Sequence, residues 1–327
     1  MPNPHLSVSL PYWQDRDPLD ALLVAEAADK LGYDRLWLGE MATFDAFALA
    51  TAVSQAPGNI PLCIGPLAVA VRTPANIAMG AASVAALTGR RVDVALGTSS
   101  TVVVRDWHGR ERTASAQHLE ESAQIVRGLL EGRKVEYDGA VENIRGYRLR
   151  LPAPGFELVV AAFGERALAA AARSADRVVL NLVTPAQVVR CVEAIRRYAA
   201  EADRPPPATS VWVTAAADPT PEMLLTLRRG VVGYLRAPGY DAMFDEAGFG
   251  DVVRLAHSGA HPRDVLAAIT DELPSAVGML GDAATLTDRL AAYREAGADE
   301  VVIVPVTSAA DLAGHHTLEM IAGIGRG

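Results

Sequence analysis

The segment Val159-Val-Ala-Ala-Phe-Gly164-Glu-Arg166 reads as a strand, a small-residue turn and a helix start. Free backbone N–H groups at such a helix start, beside the Arg166 guanidinium and a flexible Gly164, suit a phosphate. The same spacing also fits an ordinary turn whose glycine only relieves strain. Other apolar runs end in Pro11-Tyr12-Trp13, Gly39-Glu40-Met41, Ala70-Val71-Arg72, Gly97-Thr98-Ser99-Ser100, Ala162-Phe163-Gly164, Asn181, Ala216-Ala217 and Pro305. These ends are rich in small residues and poor in carboxylates, histidines and lysines. They suit a flat organic cofactor held by main chain and apolar contact better than a cluster of acids and bases.

Several chemistries lack their residues. Lys30 and Lys134 are the only lysines among 30 basic residues, and neither follows a strand, which argues against Schiff-base catalysis. His257 and His261 flank Gly259, and the neighbouring His315 and His316 cannot both face one ion from a helix, so no metal site is expected. There is no Gly-x-Ser-x-Gly elbow and no Gly-x-x-x-x-Gly-Lys phosphate loop.

The elements that must position these residues alternate. Continuous apolar runs at His5–Leu10, Arg35–Leu38, Leu62–Val71, Val92–Leu96, Phe156–Ala161, Arg177–Leu180, Ser210–Ala215 and Val301–Val304 read as strands covered on both faces. Helical periodicity fills most of the gaps, as in Asp20–Leu31, Pro74–Leu87, Pro185–Glu201 and Ala284–Ala296. Three joints, at Asp34-Arg35, Asp176-Arg177 and Asp299-Glu300, repeat one pattern: Asp for the turn, a charged residue for the rim, then an apolar strand. The expected fold is a single α/β domain over 1–327, a (β/α)8 TIM barrel with insertions after strands 4 and 7, at about 98–154 and 236–261. The first insertion carries a helix near Ala114–Glu131 and a hairpin turning at Asp138-Gly139. A doubly wound open sheet is the alternative, but its glycine-rich loop is missing after the first strand.

Composition closes off other classes. The 327 residues carry a net charge of −9, so clustered cations for nucleic acid are absent. No apolar run approaches the roughly 18 residues of a membrane span. The first residues lack the pattern of a signal peptide, and Cys63 and Cys191 read as buried thiols, so a cytoplasmic location is expected.

The chain resembles the bacterial luciferase-like monooxygenase superfamily, and within it the oxidoreductases that use coenzyme F420, a deazaflavin. The resemblance rests on Ala28-Asp-Lys-Leu-Gly32-Tyr-Asp-Arg-Leu-Trp37-Leu-Gly-Glu40, on Ile64-Gly-Pro-Leu-Ala-Val-Ala-Val-Arg72-Thr-Pro74 and on Leu87-Thr-Gly-Arg90-Arg-Val-Asp-Val-Ala-Leu-Gly97-Thr. Leu129–Gly132, Ala161–Gly164, Ala175–Arg177, Gly278–Gly281 and Ala296–Asp299 follow in order, from about residue 5 to 306. It implies a (β/α)8 barrel whose third strand carries a bulge, often with a non-prolyl cis peptide, behind the cofactor ring. Here that bulge falls in Gly65–Val69, with Leu67 and Ala68 as ring supports, although Pro66 admits a cis-prolyl variant. By position, Gly97, Thr98 and Ser99 join the cofactor site, while Ala162, Phe163, Gly164 and Arg166 match the phosphate-binding turn.

Departures from the family narrow the activity. Its sugar-phosphate dehydrogenases place an Asp-His pair after strand two and Glu after strand four. Here those positions read Glu40-Met41 and Ser100, so that activity is not expected. Glu40 is left as a contact to the cofactor or an acid, or else as a rim carboxylate. His108, beside Trp107, is a second catalytic candidate or else a solvated loop residue, and Trp13, Phe44 and Trp107 are candidate substrate walls. The resemblance implies an F420-dependent oxidoreductase acting on a small organic substrate, as a homodimer; composition and residue patterns leave no metal, nucleic-acid or membrane partner expected. The alternatives are an FMN-dependent monooxygenase and a non-catalytic cofactor-binding barrel.

Overall fold

Burial on both faces turns the continuous apolar runs into parallel strands. The computed structural model describes residues 4–11, 16–40, 42–56, 58–151, 153 and 155–326. Its strands are β1 (His5–Ser9), β2 (Leu36–Leu38), β3 (Leu62–Ala68), β4 (Val92–Gly97), β5 (Val135–Asp138), β6 (Asn143–Tyr147), β7 (Leu158–Ala161), β8 (Arg177–Asn181), β9 (Ala208–Ala217), β10 (Met279–Gly281) and β11 (Glu300–Pro305). Parallel pairing in the order β1-β2-β3-β4-β7-β8-β9-β11, with β11 returning to β1, closes a barrel of eight strands. β10 adds to the far end of β9, Met279 beside Ala215. β5 and β6 form the antiparallel hairpin of the first insertion, at the expected Asp138-Gly139.

Helices α1 (Asp20–Lys30), α2 (Ala46–Val53), α3 (Pro74–Thr88), α4 (Ser115–Leu130), α5 (Glu165–Ser174) and α6 (Pro185–Glu201) cover the first strands. After β9 come α7 (Pro221–Val232), α8 (Tyr240–Phe244), α9 (Gly250–His257), α10 (Pro262–Ala268) and α11 (Glu272–Val277), followed by α12 (Ala283–Glu295) and α13 (His315–Arg326). α7 to α11 share their own apolar cluster around Leu235, Phe244, Val253, Val265 and Leu273. The second excursion therefore spans 221–277, wider than its glycine- and aromatic-rich centre suggests. Threonine caps start several helices, most fully at α6, where Thr184 and Gln187 exchange side-chain and backbone hydrogen bonds.

The three repeated joints have a common geometry. The carboxylates of Asp34, Asp176 and Asp299 each accept from the first amides of a neighbouring strand: Leu6 at 2.8 Å, Leu158 at 2.9 Å and Thr209 at 2.7 Å. The charged residue after each Asp does not mark a solvent rim. Arg35, Arg177 and Glu300 turn into the barrel and neutralise one another with Asp93 and Glu157. Arg35 lies 3.0 Å from Glu157 and 3.3 Å from Asp93, and Arg177 lies 3.0 Å from Glu157 and 3.5 Å from Glu300. Burial opposes the charge on Glu157, but Arg177 and Arg35 outweigh it and hold its carboxyl down at about 2.

Above this polar layer sits an apolar one that includes Trp37, Cys63, Val159 and Trp212, with the two indoles edge to face at 5.5 Å. Strand alternation brings a third layer to the open C-terminal end: Gly39, Gly97, Ala161, Asn181 and Thr214. These are small or polar groups, so the barrel is plugged below and shallow above.

Candidate active site at the barrel mouth

β3 shapes the floor. Its register slips between Ile64 and Leu67 against β4, and the Gly65–Pro66 peptide is cis, the prolyl form. Gly65 has φ +129°, and a Cβ there would lie 2.1 Å from the Ala95 carbonyl oxygen, so only glycine fits. The bulge brings Pro66 over Gly97, where a Cβ would lie 3.1 Å from the proline and 3.6 Å from Ala161. Leu67 is fully buried in the core shared with the helices, so only its main chain is available to the mouth. Ala68 stays partly exposed beside Gly97.

Across the mouth, Ala162 is buried and Gly164 caps α5 with φ +81° and ψ 144°. Among the described residues no side chain caps this helix. The Leu168 amide closes the first turn on Gly164, and among the described residues the amides of Glu165, Arg166 and Ala167 have no acceptor. Among the described residues nothing lies within 4 Å of where a Gly164 Cβ would project. Arg166 is exposed and has no ion pair among the described residues. Three unengaged N–H groups therefore stand at this open corner, with Arg166 exposed on the first turn of the same helix.

Phe163 links this corner to the second excursion. Its ring lies 4.2 Å from that of Tyr240, and Gly239, at φ +93°, leaves no room for a Cβ, which would meet Phe163 at 2.8 Å. The Tyr240 hydroxyl accepts from the Asn181 amide at 3.1 Å, and Tyr234 packs edge-on against Tyr240 at 4.8 Å. Burial pushes the hydroxyls of Tyr234 and Tyr240 above the ordinary tyrosine range, so both stay protonated at neutral pH. The residues alone single out neither tyrosine, and Asn181 only as a polar strand end.

At the end of β4, the Arg112 guanidinium donates to the Thr98 hydroxyl at 3.0 Å and to the Ser99 carbonyl at 2.9 Å. This fixes Ser99 in its left-handed conformation, φ 55°. A π-helical turn over Val102–Trp107 follows; Trp107 is exposed, and His108 beyond it is exposed with no partner among the described residues. His108 is thus not brought against Glu40.

Glu40 is engaged. Its carboxylate takes both arms of Arg72, Nε at 2.7 Å and Nη2, and accepts from the Ala46 amide at 3.3 Å. Arg72 also pairs with Asp45 and lies over the Phe47 ring at 5.1 Å. Glu40 therefore anchors a cation at the rim. Phe44 is half-buried on the same side, and Trp13 and Met41 lie outside the described residues. Among the described residues no group of His, Cys, Asp and Glu could hold a metal ion, and no helix is long and apolar enough to cross a membrane.

The luciferase-like monooxygenase family matches residues 8–300. A 5,10-methylenetetrahydromethanopterin reductase from Methanolobus tindarius is 22% identical over 286 residues, covering 85% of this chain and 87% of its own. The solved coenzyme F420-dependent tetrahydromethanopterin reductase from Methanopyrus kandleri superposes with a TM-score of 0.83 at 17% identity, over 98% of each chain. The FMN-bound oxygenating constituent of 3,6-diketocamphane monooxygenase from Pseudomonas putida gives 0.71 at 18% identity, over 98% of this chain and 97% of its own. The chain belongs to the luciferase-like monooxygenase family and is an oxidoreductase of it, built on a (β/α)8 barrel.

Proposed function

We propose that the protein is a coenzyme F420-dependent oxidoreductase acting on a small organic substrate at the barrel mouth. The observation that carries this is the uncapped start of α5 at Phe163-Gly164, facing a floor of Gly97, Ala161 and Pro66. The donors fit a phosphate-bearing tail, and the nearly side-chain-free floor fits a planar ring. Gly97, Ala161, Pro66 and Ala68 would support the ring, with Thr98 and Ser99 at its edge. The amides of 165–167 and Arg166 would hold the phosphate. When bound, the deazaflavin supplies two-electron hydride chemistry.

The chain's own residues position and protonate. Arg112 locks the β4 end, Glu40 holds Arg72 at the rim, and Asn181 orients Tyr240. Because the Tyr240 oxygen accepts from Asn181, its own proton is left to be donated. The excursion 221–277 stands beside the phosphate corner and excludes water from that side.

The FMN-bound relative favours a second reading, a flavin monooxygenase on the same floor. Gel filtration of the protein mixed with each cofactor separates the two: co-migrating deazaflavin fluorescence supports the first reading, and co-migrating FMN alone overturns it.

A homodimer is part of the same reading. α2 and α3 contain no charged residue, and α3 exposes Met79 and Leu87. The hydroxyls of Thr51, Ser54, Ser83 and Thr88 bond back to their own helices, so the face can lose water cheaply. Light scattering giving a dimer mass that falls to the monomer in Met79→Glu supports it; a monomeric wild type does not.

A further inference from the structure

We propose that Asn181 and Thr214, on the β8–β9 side of the mouth, bind the polar group of the substrate. That group is an uncharged hydrogen-bond donor, a hydroxyl or an amide N–H. Its belonging to the substrate rests on the proposed active site; the placement and chemistry of the polar pair do not.

Alternation along the strands points both side chains into the barrel. On β8, Arg177 enters the polar layer, Val179 the apolar layer, and Asn181 follows on the same face. On β9, Ser210 bonds to Glu300 in the polar layer, Trp212 meets Trp37 in the next, and Thr214 follows. Asn181 is in register with Trp212, so Thr214 lies diagonally next to it on the neighbouring strand. In the closed order of eight strands, β8 and β9 stand across from β2 and β3, which bring Gly39 and Pro66 to the mouth. Leu182, the next residue, takes φ 54°, a conformation leucine rarely adopts, and packs on the apolar cluster of α7 to α11. The chain leaves the barrel there, with Asn181 as the last inward side chain of β8.

The Asn181 amide donates to the Tyr240 hydroxyl at 3.1 Å. Its contact with Tyr234 favours the ionised hydroxyl, so that contact too is made by the N–H end. The Asn181 carbonyl oxygen is left with no partner among the described residues, and so is the Thr214 hydroxyl. Both residues are half-buried, and neither oxygen is enclosed as the unpaired Thr307 hydroxyl is. An amide carbonyl only accepts, whereas a threonine hydroxyl donates or accepts. A group bound at this wall must therefore bring a hydrogen to Asn181. A ketone leaves that oxygen unmet, and a carboxylate opposes it.

Charge narrows the class to neutral groups. Gly39, Gly97, Ala161, Asn181 and Thr214 carry none, and Tyr234 and Tyr240 stay protonated at neutral pH. At the rim, the carboxylates of Glu40 and Asp45 are already held by Arg72. An ammonium group would meet the Asn181 oxygen but lose water without a counter-charge, a cost that a hydroxyl or an amide avoids.

The test uses the whole protein labelled with 15N-asparagine; of its five asparagines, Asn181 is identified by the side-chain signal lost in Asn181→Leu. Cyclopentanol, 2-pyrrolidinone, cyclopentanone, cyclopentylamine and cyclopentanecarboxylate are titrated in turn, without and with F420. The alcohol and the lactam are expected to move the Asn181 signal at concentrations about fivefold below the ketone, the equivalent of one hydrogen bond. The two charged probes should need about tenfold more than the alcohol. Thr214→Val, checked for an otherwise unchanged asparagine spectrum, should raise the half-saturating alcohol concentration about fivefold. A signal unmoved by all five probes would overturn the proposal. So would a ketone or a charged probe that binds as tightly as the alcohol, or unchanged alcohol binding in Thr214→Val. F420 titration of the same samples keeps the two readings apart. F420 binding beside an unresponsive Asn181 removes this proposal alone, and a responsive Asn181 without F420 binding removes the cofactor reading alone.

Discussion

Asn181, at the end of β8, donates to the hydroxyl of Tyr240 in α8 at 3.1 Å, across 59 residues of chain. The same tyrosine ring lies 4.2 Å from Phe163, which adjoins the open start of α5. One side chain thus ties the second excursion both to the barrel floor and to the corner proposed to hold phosphate. Removing the hydroxyl and removing the ring should have different consequences.

Tyr240→Phe keeps the ring and loses one hydrogen bond, leaving the Asn181 amide to seek water. It should cost about 1 kcal/mol and leave F420 affinity within about threefold. Tyr240→Ala removes the support of Phe163 and should cost about 3 kcal/mol or more, with F420 affinity falling about tenfold. Urea unfolding and fluorescence titration of both variants check this; equal affinities would show that Phe163 does not need its neighbour.

Gly164 has room for a side chain on the protein side but not the backbone conformation for one. Gly164→Leu at φ +81° should cost about 1–2 kcal/mol. Its Cβ would project into the open corner, so F420 binding should weaken about tenfold or more. Thermal unfolding and cofactor titration together test it. Unchanged affinity would place the phosphate elsewhere.

The polar plug beneath the apolar layer predicts a particular acid response. Glu157 is held down at about 2 against an ordinary value near 4.5, so its contribution to stability is complete above the unfolded pKa. That contribution fades as pH falls from about 4.5 through 2, where the folded carboxylate finally protonates. Glu157→Gln should destabilise the protein by about 2–4 kcal/mol at neutral pH, with the difference from wild type shrinking over that window. Urea midpoints at a series of pH values measure it, and a gap that stays constant down to the lower end would contradict the assignment.

Glu121 latches the hairpin to α4. Its buried carboxylate accepts the amides of Ala140 at 3.0 Å, Val141 at 2.9 Å and Glu142 at 2.8 Å. Burial opposes its charge, but the three amides outweigh it and lower its pKa, so this stability too is present above the unfolded value and lost on acidification. Glu121→Ala should cost about 2–3 kcal/mol and speed hydrogen exchange selectively at those amides. Protection unchanged at 140–142 would show that the turn holds itself.

The barrel was legible because its strands are buried on both faces and therefore read as unbroken apolar runs. β10 was not: Met279-Leu-Gly281 is too short to show a pattern and exists because β9 overshoots its neighbours. The strand expected to reach Val71 stops at Ala68, where the amides of Val71 and Arg72 turn back onto Ala68. The charges after the three aspartates are visible in the sequence, but not that they face inward, since neutralisation depends on partners in or just before five different strands.

In the site, the α5 start was legible because it is local, a strand end and a glycine within a few residues. The engagement of Glu40 by Arg72 spans 32 residues, and the bond of Asn181 to Tyr240 spans 59, so neither leaves a spacing to read. The family resemblance implies Leu67 as a ring support, but the bulge turns its side chain into the core while presenting Pro66 to the mouth.

In the proposed function the rim grips a deazaflavin through the Phe163-Gly164 corner. Parallel titrations of the purified protein with F420 and FMN, followed by fluorescence, measure this grip. Saturable F420 binding at least about tenfold tighter than FMN is the expected result. Tighter binding of FMN, or saturation by neither, would contradict it.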